Sequence, residues 1–406
     1  MDVLFIHQNF PAQFVHVANA LKKRRDIRVG VVTDLANEQP DHFPTARYRW
    51  DARKAGAPDR VARPYAIAAA RGRMVARAME TIRQRGFQPK VVVGHIGWGE
   101  TLFVKDVFPD ARLITHAEFF YSPTGADVGF DPEFKGEETL DQRIQLRAKN
   151  AALVAAMSET DIAVAPTPWQ ASRFPGEWQS KIHVIHEGVD TDAIAPDPTA
   201  YFRVPGADLT LTAKDEVVSF VNRNLEPYRG YHIFMRALPK ILAERPRAHA
   251  VIVGGTDVSY GPRPSAGESW MDIFRREVAD RLPAGRVHFV SRIPFPNLLS
   301  LFQITSAHVY LTYPFVLSWS MLQAMSAGAP VVASRTAPVL DVVEDGVNGV
   351  LVDFFDVAGL AERVIAVLAR LDHHRGLRAA ARASIIEIFD LRRVCLPRWT
   401  NLVLRG

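Results

Sequence analysis

Short apolar runs and longer amphipathic segments alternate along this chain, and that alternation limits it to one class of fold. Val3–Ile6, Val29–Val32, Val91–Val93, Leu113–Thr115, Ile162–Ala165 and His183–Ile185 are short and rich in β-branched or aliphatic residues, so they read as buried strands. Ala12–Lys23, Ala66–Arg83 and Leu140–Ser158 lie between them with helical spacing. Strands separated by helices pair in parallel, and the helices then cover both faces of the sheet. From about Asp190 to Lys214 the rhythm stops. Pro196, Pro198, Pro205 and Gly206 fall there without apolar periodicity, which predicts a linker. The rhythm then restarts. Val217–Val221, Ala250–Val253, Val287–Val290, His308–Leu311, Val331–Ala333 and Gly349–Val352 read as strands, and Ile233–Ala243, Trp270–Ala279, Met321–Ala327 and Leu360–Leu371 as helices. The expected architecture is α/β, with two doubly wound domains facing across a cleft: residues 1–190, a linker over 191–214, and residues 215–390. A last helix over 391–406, containing Trp399, is expected to pack back on the first domain. Sheets of this kind bind ligands outside the carboxyl ends of their strands, and the cleft between two of them is the default site.

Composition narrows the setting. Hydrophobic residues at 48% and charged residues at 23% are globular values and exclude a disordered chain or a fibre. The single cysteine, Cys395, excludes an internal disulfide. The opening MDVLFIHQNF has no basic start and no long apolar stretch, so it does not read as a signal peptide. No apolar run approaches the ~20 residues of a spanning helix. A soluble, cytoplasmic protein is therefore expected. The net charge of +5 favours anionic partners. Lys22-Lys23-Arg24-Arg25 and the segment with Arg71, Arg73, Arg77, Arg83 and Arg85 read first as solvated faces. Peripheral contact with the inner face of a membrane is the second reading. Nucleic acid is not expected, because no aromatic-and-basic interleaving accompanies the charge.

Three segments carry residues suited to chemistry. In Tyr313–Val352, Pro314 follows a strand and a helix opens near Ser318, a plausible N-cap. The free N–H groups of that helix start, around Leu317 and Ser318, form an anion site at a strand end. In Val221–Gly230, Arg223 and Arg229 flank a Pro-containing turn just after a strand. Two guanidinium groups there suit a diphosphate. The plainer alternative is a surface ion pair with Glu226. In Val184–Asp192, Asp190-Thr191-Asp192 has a metal-binding spacing that is common by chance, and no metal is expected. His116 ends a strand and is a site candidate, and Glu118, two residues on, could reach the same cleft; His7 ends the first strand. His373-His374 reads as a solvated helix terminus. No nucleophilic serine motif or Walker loop occurs.

Taken together and in order, these segments resemble the family 4 glycosyltransferases, whose GT-B fold has two Rossmann-like domains. The family's Pro-Asn-Gly-Val-Asp turn is matched by His186-Glu187-Gly188-Val189-Asp190, and its paired cations around a Pro-Gly turn by Arg223 and Arg229. Its Leu-Glu-Ala-Met segment through Gly-x-Pro-Val-Val is matched by Leu322–Val332, and its Glu-Asp-Gly-x-Asn-Gly turn by Glu344–Gly349. The match is close in the second domain and loose in the first. Two departures stand out. Phe315 and Gln323 occupy the places of two glutamates that in the family meet the donor sugar and the ribose. The Gly-rich turn after the first strand is replaced by His7-Gln8-Asn9-Phe10-Pro11.

The resemblance implies a retaining glycosyltransferase that moves a sugar from a nucleoside diphosphate donor, of UDP or GDP type, to a carbohydrate or lipid-linked acceptor. A role in surface polysaccharide synthesis would fit. No cofactor and no metal are implied, because the sugar nucleotide is itself a substrate. Arg223, Arg229 and the helix start at Leu317–Ser318 would stabilise the leaving diphosphate. Gln323 would meet the ribose, and Arg292–Ile293 the base. His116 would face the sugar. A sugar-nucleotide-binding pseudoenzyme, motivated by Phe315, and a sugar-nucleotide epimerase of the same fold are the alternatives.

Overall fold

Strand β1 (Asp2–Ile6) organises the amino-terminal half, because every side chain after Asp2 is buried and both of its edges are paired in parallel. The computed structural model describes residues 1–369 and 375–405. It divides into two units. Unit 1 is Met1–Gly188 together with the segment from Arg392, and unit 2 is Val189–Leu391. In unit 1, β1 is followed by β2 (Arg28–Asp34), β3 (Thr45–Tyr48), β4 (Pro89–His95), β5 (Arg112–His116), β6 (Ile162–Ala165) and β7 (Ile182–Val184). These form a seven-stranded sheet in the order β3-β2-β1-β4-β5-β6-β7. Unit 2 begins with an antiparallel pair, β8 (Tyr201–Arg203) and β9 (Thr210–Thr212). Its main sheet contains β10 (Glu216–Asn224), β11 (Ala248–Gly255), β12 (Val287–Val290), β13 (Ala307–Tyr310), β14 (Val331–Ser334) and β15 (Val350–Val352). Their order is β12-β11-β10-β13-β14-β15, and every pairing is parallel. Each unit is therefore a doubly wound α/β sheet, as the alternation predicts. In each, the strand order reverses beside the first strand: between β1 and β4, and between β10 and β13.

The structure corrects the expected boundaries at four places. Residues 191–214 are not a bare linker. Tyr201-Phe202-Arg203-Val204 alternates exposed and buried, and Phe202, Val204 and Leu211 join the core of unit 2. The expected helix Leu140–Ser158 is two helices, Leu140–Lys149 and Ala151–Glu159. Asn150 stands at the break and exchanges hydrogen bonds with the backbone of Tyr121 at 3.1 and 2.7 Å. A helix at Arg375–Phe389 was not expected; it buries Ala381, Ile385 and Phe389. The final segment starts as a π-turn, Leu391–Cys395, before the helix Leu396–Arg405. Trp399 of that helix packs in unit 1 with Phe14 and Ile185, and its indole N–H donates to the His186 carbonyl at 3.2 Å. His373-His374 lies outside the described residues. The helix Arg63–Gln84 exposes Arg73, Arg77 and Arg83, a solvated face, but turns Arg71 inward. Among the described residues, no helix is long and apolar enough to cross a membrane.

Burial on both faces of these sheets has a consequence for pH. His308 on β13 is fully buried, with Nδ1 2.9 Å from the Ser219 hydroxyl. Burial pushes its pKa down to about 3. Because the folded value lies below the unfolded one, its contribution is complete above pH ~6.5 and is lost as pH falls towards the folded value. Wild-type unfolding free energy measured by denaturant should therefore fall on acidification. In His308→Gln that slope should be shallower by about 1.4 kcal/mol per pH unit over this window. An unchanged slope would show that His308 charges freely in the fold.

Candidate functional site

In unit 2 the loops at the β10/β13 reversal hold most of the residues singled out in the sequence. Arg223, near the end of β10, is exposed and makes no hydrogen bond or ion pair among the described residues. The chain then turns through Pro227–Arg229 into Gly230, which has φ +66°. A Cβ at Gly230 would lie 2.3 Å from the Cβ of Leu311, so both the conformation and the close approach require glycine. Arg229 follows the buried side of this turn and is 6% exposed. Its Nη1 donates to Thr312 Oγ1 at 2.8 Å and to the Val316 carbonyl at 2.9 Å. Its guanidinium also lies 5.2 Å from the centre of the Tyr260 ring.

Glu226 does not form the surface ion pair considered above. It is fully buried and accepts from the backbone N–H groups of Ser259, at 3.1 Å, and Tyr260, at 3.2 Å. Burial raises its pKa against the pull of those amides. Across the reversal, the Tyr310 hydroxyl accepts from the Ser318 N–H at 2.8 Å. Ser318 then caps the helix Trp319–Ser326, its Oγ accepting from the Ser320 N–H at 3.3 Å. Leu317 packs on the core just before this cap, and Gln323 is half-buried on the same helix. Phe315 is buried, 4.9 Å from the Tyr260 ring and 5.8 Å from that of Tyr228. Arg292 is exposed beyond the end of β12, and Ile293 beside it packs on the core. In Asp190-Thr191-Asp192, Asp190 accepts from the Ala193 N–H at 3.2 Å and the Thr191 hydroxyl donates to buried Asp390, so part of the tripeptide serves the fold.

In unit 1 the strand ends carry a buried histidine cluster. His7 follows β1, His95 ends β4, His116 ends β5 and His186 follows β7. His7, His95 and His186 share one device. Each Nδ1 accepts the backbone N–H two residues on, from Asn9, Gly97 and Gly188, at 3.0, 2.9 and 3.0 Å. A ring nitrogen that accepts carries no proton, so the proton of each neutral ring sits on Nε2. Burial holds all three below the ordinary histidine range, His7 furthest. His95 is stacked between Trp98, at 4.2 Å, and His116, at 5.1 Å. Glu118, in part exposed, places Oε2 3.5 Å from His95 Nε2.

Two features of this cluster lay beyond the sequence reading. Glu187 Oε1 lies 2.7 Å from His116 Nε2, with both side chains buried. The signal available was the replacement of the family's Pro-Asn by His186-Glu187. Glu100 is fully buried and accepts from the Tyr48 hydroxyl at 2.6 Å. Burial raises its pKa to about 7, against the effects of Tyr48 and Arg71. Arg71 donates to Gln8 Oε1 at 2.6 Å and lies over Trp50.

Two family models match the chain: the glycosyl transferase family 4 group over residues 25–194, and glycosyl transferases group 1 over residues 207–384. The D-inositol 3-phosphate glycosyltransferase of Nocardia farcinica is 29% identical over 236 residues, 56% of this chain and 50% of that protein. The Mycobacterium avium protein of the same name is 30% identical over 190 residues, 47% of this chain and 41% of that one. The chain thus spans about half the length of the curated relatives it matches. Among solved structures, Anabaena HepE in complex with UDP and glucose has a TM-score of 0.68 at 17% identity, covering 99% of both chains. Sucrose-phosphate synthase from Thermosynechococcus elongatus has a TM-score of 0.69 at 18% identity, covering 99% of this chain and 98% of that one. At such identities the likeness is one of fold.

The two arginines of unit 2 should separate in stability. Arg229→Ala leaves Thr312 and the Val316 carbonyl without a buried partner and should lower the unfolding free energy by about 2–4 kcal/mol. Arg223→Ala, at an exposed site without partners, should stay within about 0.5 kcal/mol of wild type. Equal effects in denaturant titrations would contradict the different placements of these two side chains.

Proposed function

The chain belongs to the family 4 glycosyltransferases of GT-B fold, and from that premise we propose that it transfers a sugar, with retention of configuration, from a nucleoside diphosphate donor to a carbohydrate hydroxyl. The observation that carries this reading is the pairing of a free guanidinium, Arg223, with the capped helix start at Ser318, both at the β10/β13 reversal. As the glycosidic bond breaks, negative charge grows on the departing diphosphate. Arg223, Arg229 and the N–H groups beyond Leu317 and Ser318 would meet that charge without reorganising, the form of electrostatic stabilisation that commonly contributes most to rate. Gln323 would hold the ribose as a neutral stand-in for glutamate, both donating and accepting. Arg292 and Ile293 would flank the base. The donor is proposed to be of UDP type, with support from the UDP and glucose bound to the HepE protein. No cofactor beyond the sugar nucleotide is proposed.

The acceptor belongs to unit 1 in this reading, and its basic surface favours an anionic or lipid-linked carbohydrate. His116 is proposed to meet the donor sugar, with Glu118 and His7 as its neighbours at the strand ends. A donor-binding pseudoenzyme is the second reading, and one observation favours it. Phe315 is packed among aromatic rings where the family places a sugar-binding glutamate. Donor consumption in the presence of acceptor preparations separates the two, since a pseudoenzyme would bind nucleotide without turnover.

Thermal-shift titration with UDP and GDP tests the donor class directly, because binding raises the melting temperature by mass action. Each charge-assisted bond to phosphate contributes about 1.5–3 kcal/mol. Arg223→Ala should therefore weaken diphosphate binding about ten- to a hundredfold while leaving uridine binding unchanged. Wild-type affinity in Arg223→Ala would refute the clamp. His116→Ala should lower turnover strongly and leave UDP affinity near wild type, because the proposed diphosphate contacts all come from unit 2. Wild-type turnover in a stable His116→Ala protein would remove His116 from the site.

A further inference from the structure

Where the family's turn reads Pro-Asn-Gly-Val-Asp, this chain has His186-Glu187-Gly188-Val189-Asp190, and the two replaced residues are those packed around His116. Glu187 sets Oε1 2.7 Å from His116 Nε2, and His186 Nε2 stands 3.3 Å from the other carboxylate oxygen. The side chains of His116, His186 and Glu187 are 2%, 5% and 8% exposed, so this is an interior contact and not a surface pair. The turn itself is fixed. The Gly188 N–H donates to His186 Nδ1, Gly188 takes φ +94°, and Trp399 donates to the His186 carbonyl.

A buried carboxylate without a partner is strongly disfavoured. Burial works to raise the pKa of Glu187, and the 2.7 Å bond to His116 Nε2 works to lower it and holds the carboxylate form. An ionised carboxylate only accepts hydrogen bonds. His116 Nε2 must therefore carry a proton and donate it to Glu187. In the neutral ring the other nitrogen, Nδ1, is then a bare lone pair. That atom is buried and has no hydrogen-bond partner in the protein. A buried acceptor left without a donor costs free energy, and native structures seldom keep one without reason. His95, stacked on the ring at 5.1 Å, does not fill the role, because its Nδ1 is occupied by the Gly97 N–H and its Nε2 faces Glu118.

We propose that Glu187 is the positioning residue of His116: by accepting from Nε2 it fixes the tautomer in which Nδ1 accepts a hydrogen bond from a hydroxyl of the donor sugar. This rests on the reading that His116 meets the donor. A carboxylate imposes the tautomer because it cannot donate. Glutamine does not impose it, because its NH₂ donates to a bare Nε2 and lets the proton move to Nδ1. With a proton on Nδ1 the ring no longer offers an acceptor. The sugar is then misplaced although every residue that holds the nucleotide is intact.

The test combines a variant with a measurement on the wild-type protein. In ¹⁵N spectra of the histidine rings, wild-type His116 should show a protonated Nε2 and a bare Nδ1. A proton on Nδ1, in a neutral or a charged ring, would overturn the assignment whether or not any variant folds. In Glu187→Gln, kcat should fall about a hundredfold, the scale of a misplaced reacting group. UDP affinity should stay within about twofold, and Glu187→Asp should recover part of the lost rate. Wild-type kcat in Glu187→Gln would sink the proposal. His116→Ala distinguishes the two levels of failure. If His116→Ala is slow and Glu187→Gln is not, the positioning role alone is wrong; if His116→Ala turns over as wild type, the reading of His116 beneath it is wrong as well.

Discussion

The guanidinium of Arg229 is buried where the strand order of unit 2 reverses, and the surrounding loops take their shape from it. One nitrogen, Nη1, gathers Thr312 and the Val316 carbonyl, so residues 312–316 fold back over the arginine. Tyr310, at the end of β13, then receives the Ser318 N–H, which sets where the next helix begins. Gly230 allows the arginine's own turn to sit against Leu311. A buried charge needs a full set of partners, and satisfying that need ties β10, β13 and the helix start into one arrangement. The amide donors that would meet a phosphate are therefore positioned by an arginine largely committed to the protein, while Arg223 beside it stays free.

The two units share a strand order but not a chemistry at their strand ends. Unit 2 presents the exposed guanidinium of Arg223 and a capped helix start, suited in the proposed reading to a diphosphate that gains charge as it leaves. Unit 1 presents neutral imidazoles, kept neutral by burial and oriented by backbone N–H bonds to Nδ1. Neutral donors and acceptors suit hydroxyl groups, which have direction but no charge. Glu187, buried in that cluster, is hydrogen-bonded through Oε1 to His116 Nε2 at 2.7 Å, and His186 Nε2 stands 3.3 Å from its Oε2.

What the sequence disclosed follows from burial. The central strands β1, β4, β10 and β13 are covered on both faces, so they appear as short, mainly apolar runs and were legible at once. The edges were not. β3 is the four-residue TARY with only Tyr48 buried, and β8 rests on Phe202 alone, so neither produced a run. Arg223 drew attention because it sits near the end of β10, Ser318 because it caps the helix that follows β13, and Gln323 only through the family's motif. The loop-holding bonds of Arg229 were not legible, since its partners Thr312 and Val316 are more than eighty residues away. Glu187 was visible only as a mismatch in a turn. Its meaning required β5 to bring His116 alongside, a contact over seventy-one residues.

The substitutions at Phe315 and Gln323 act in one electrostatic direction. Each removes a carboxylate from the neighbourhood in which a diphosphate is proposed to bind, and like charges close together are strongly unfavourable at low dielectric. On the proposed reading, their absence leaves Arg223 and the helix start less opposed. It also removes the acidic acceptors that would orient sugar hydroxyls. Phe315 offers no replacement, since its ring is packed against Tyr228 and Tyr260.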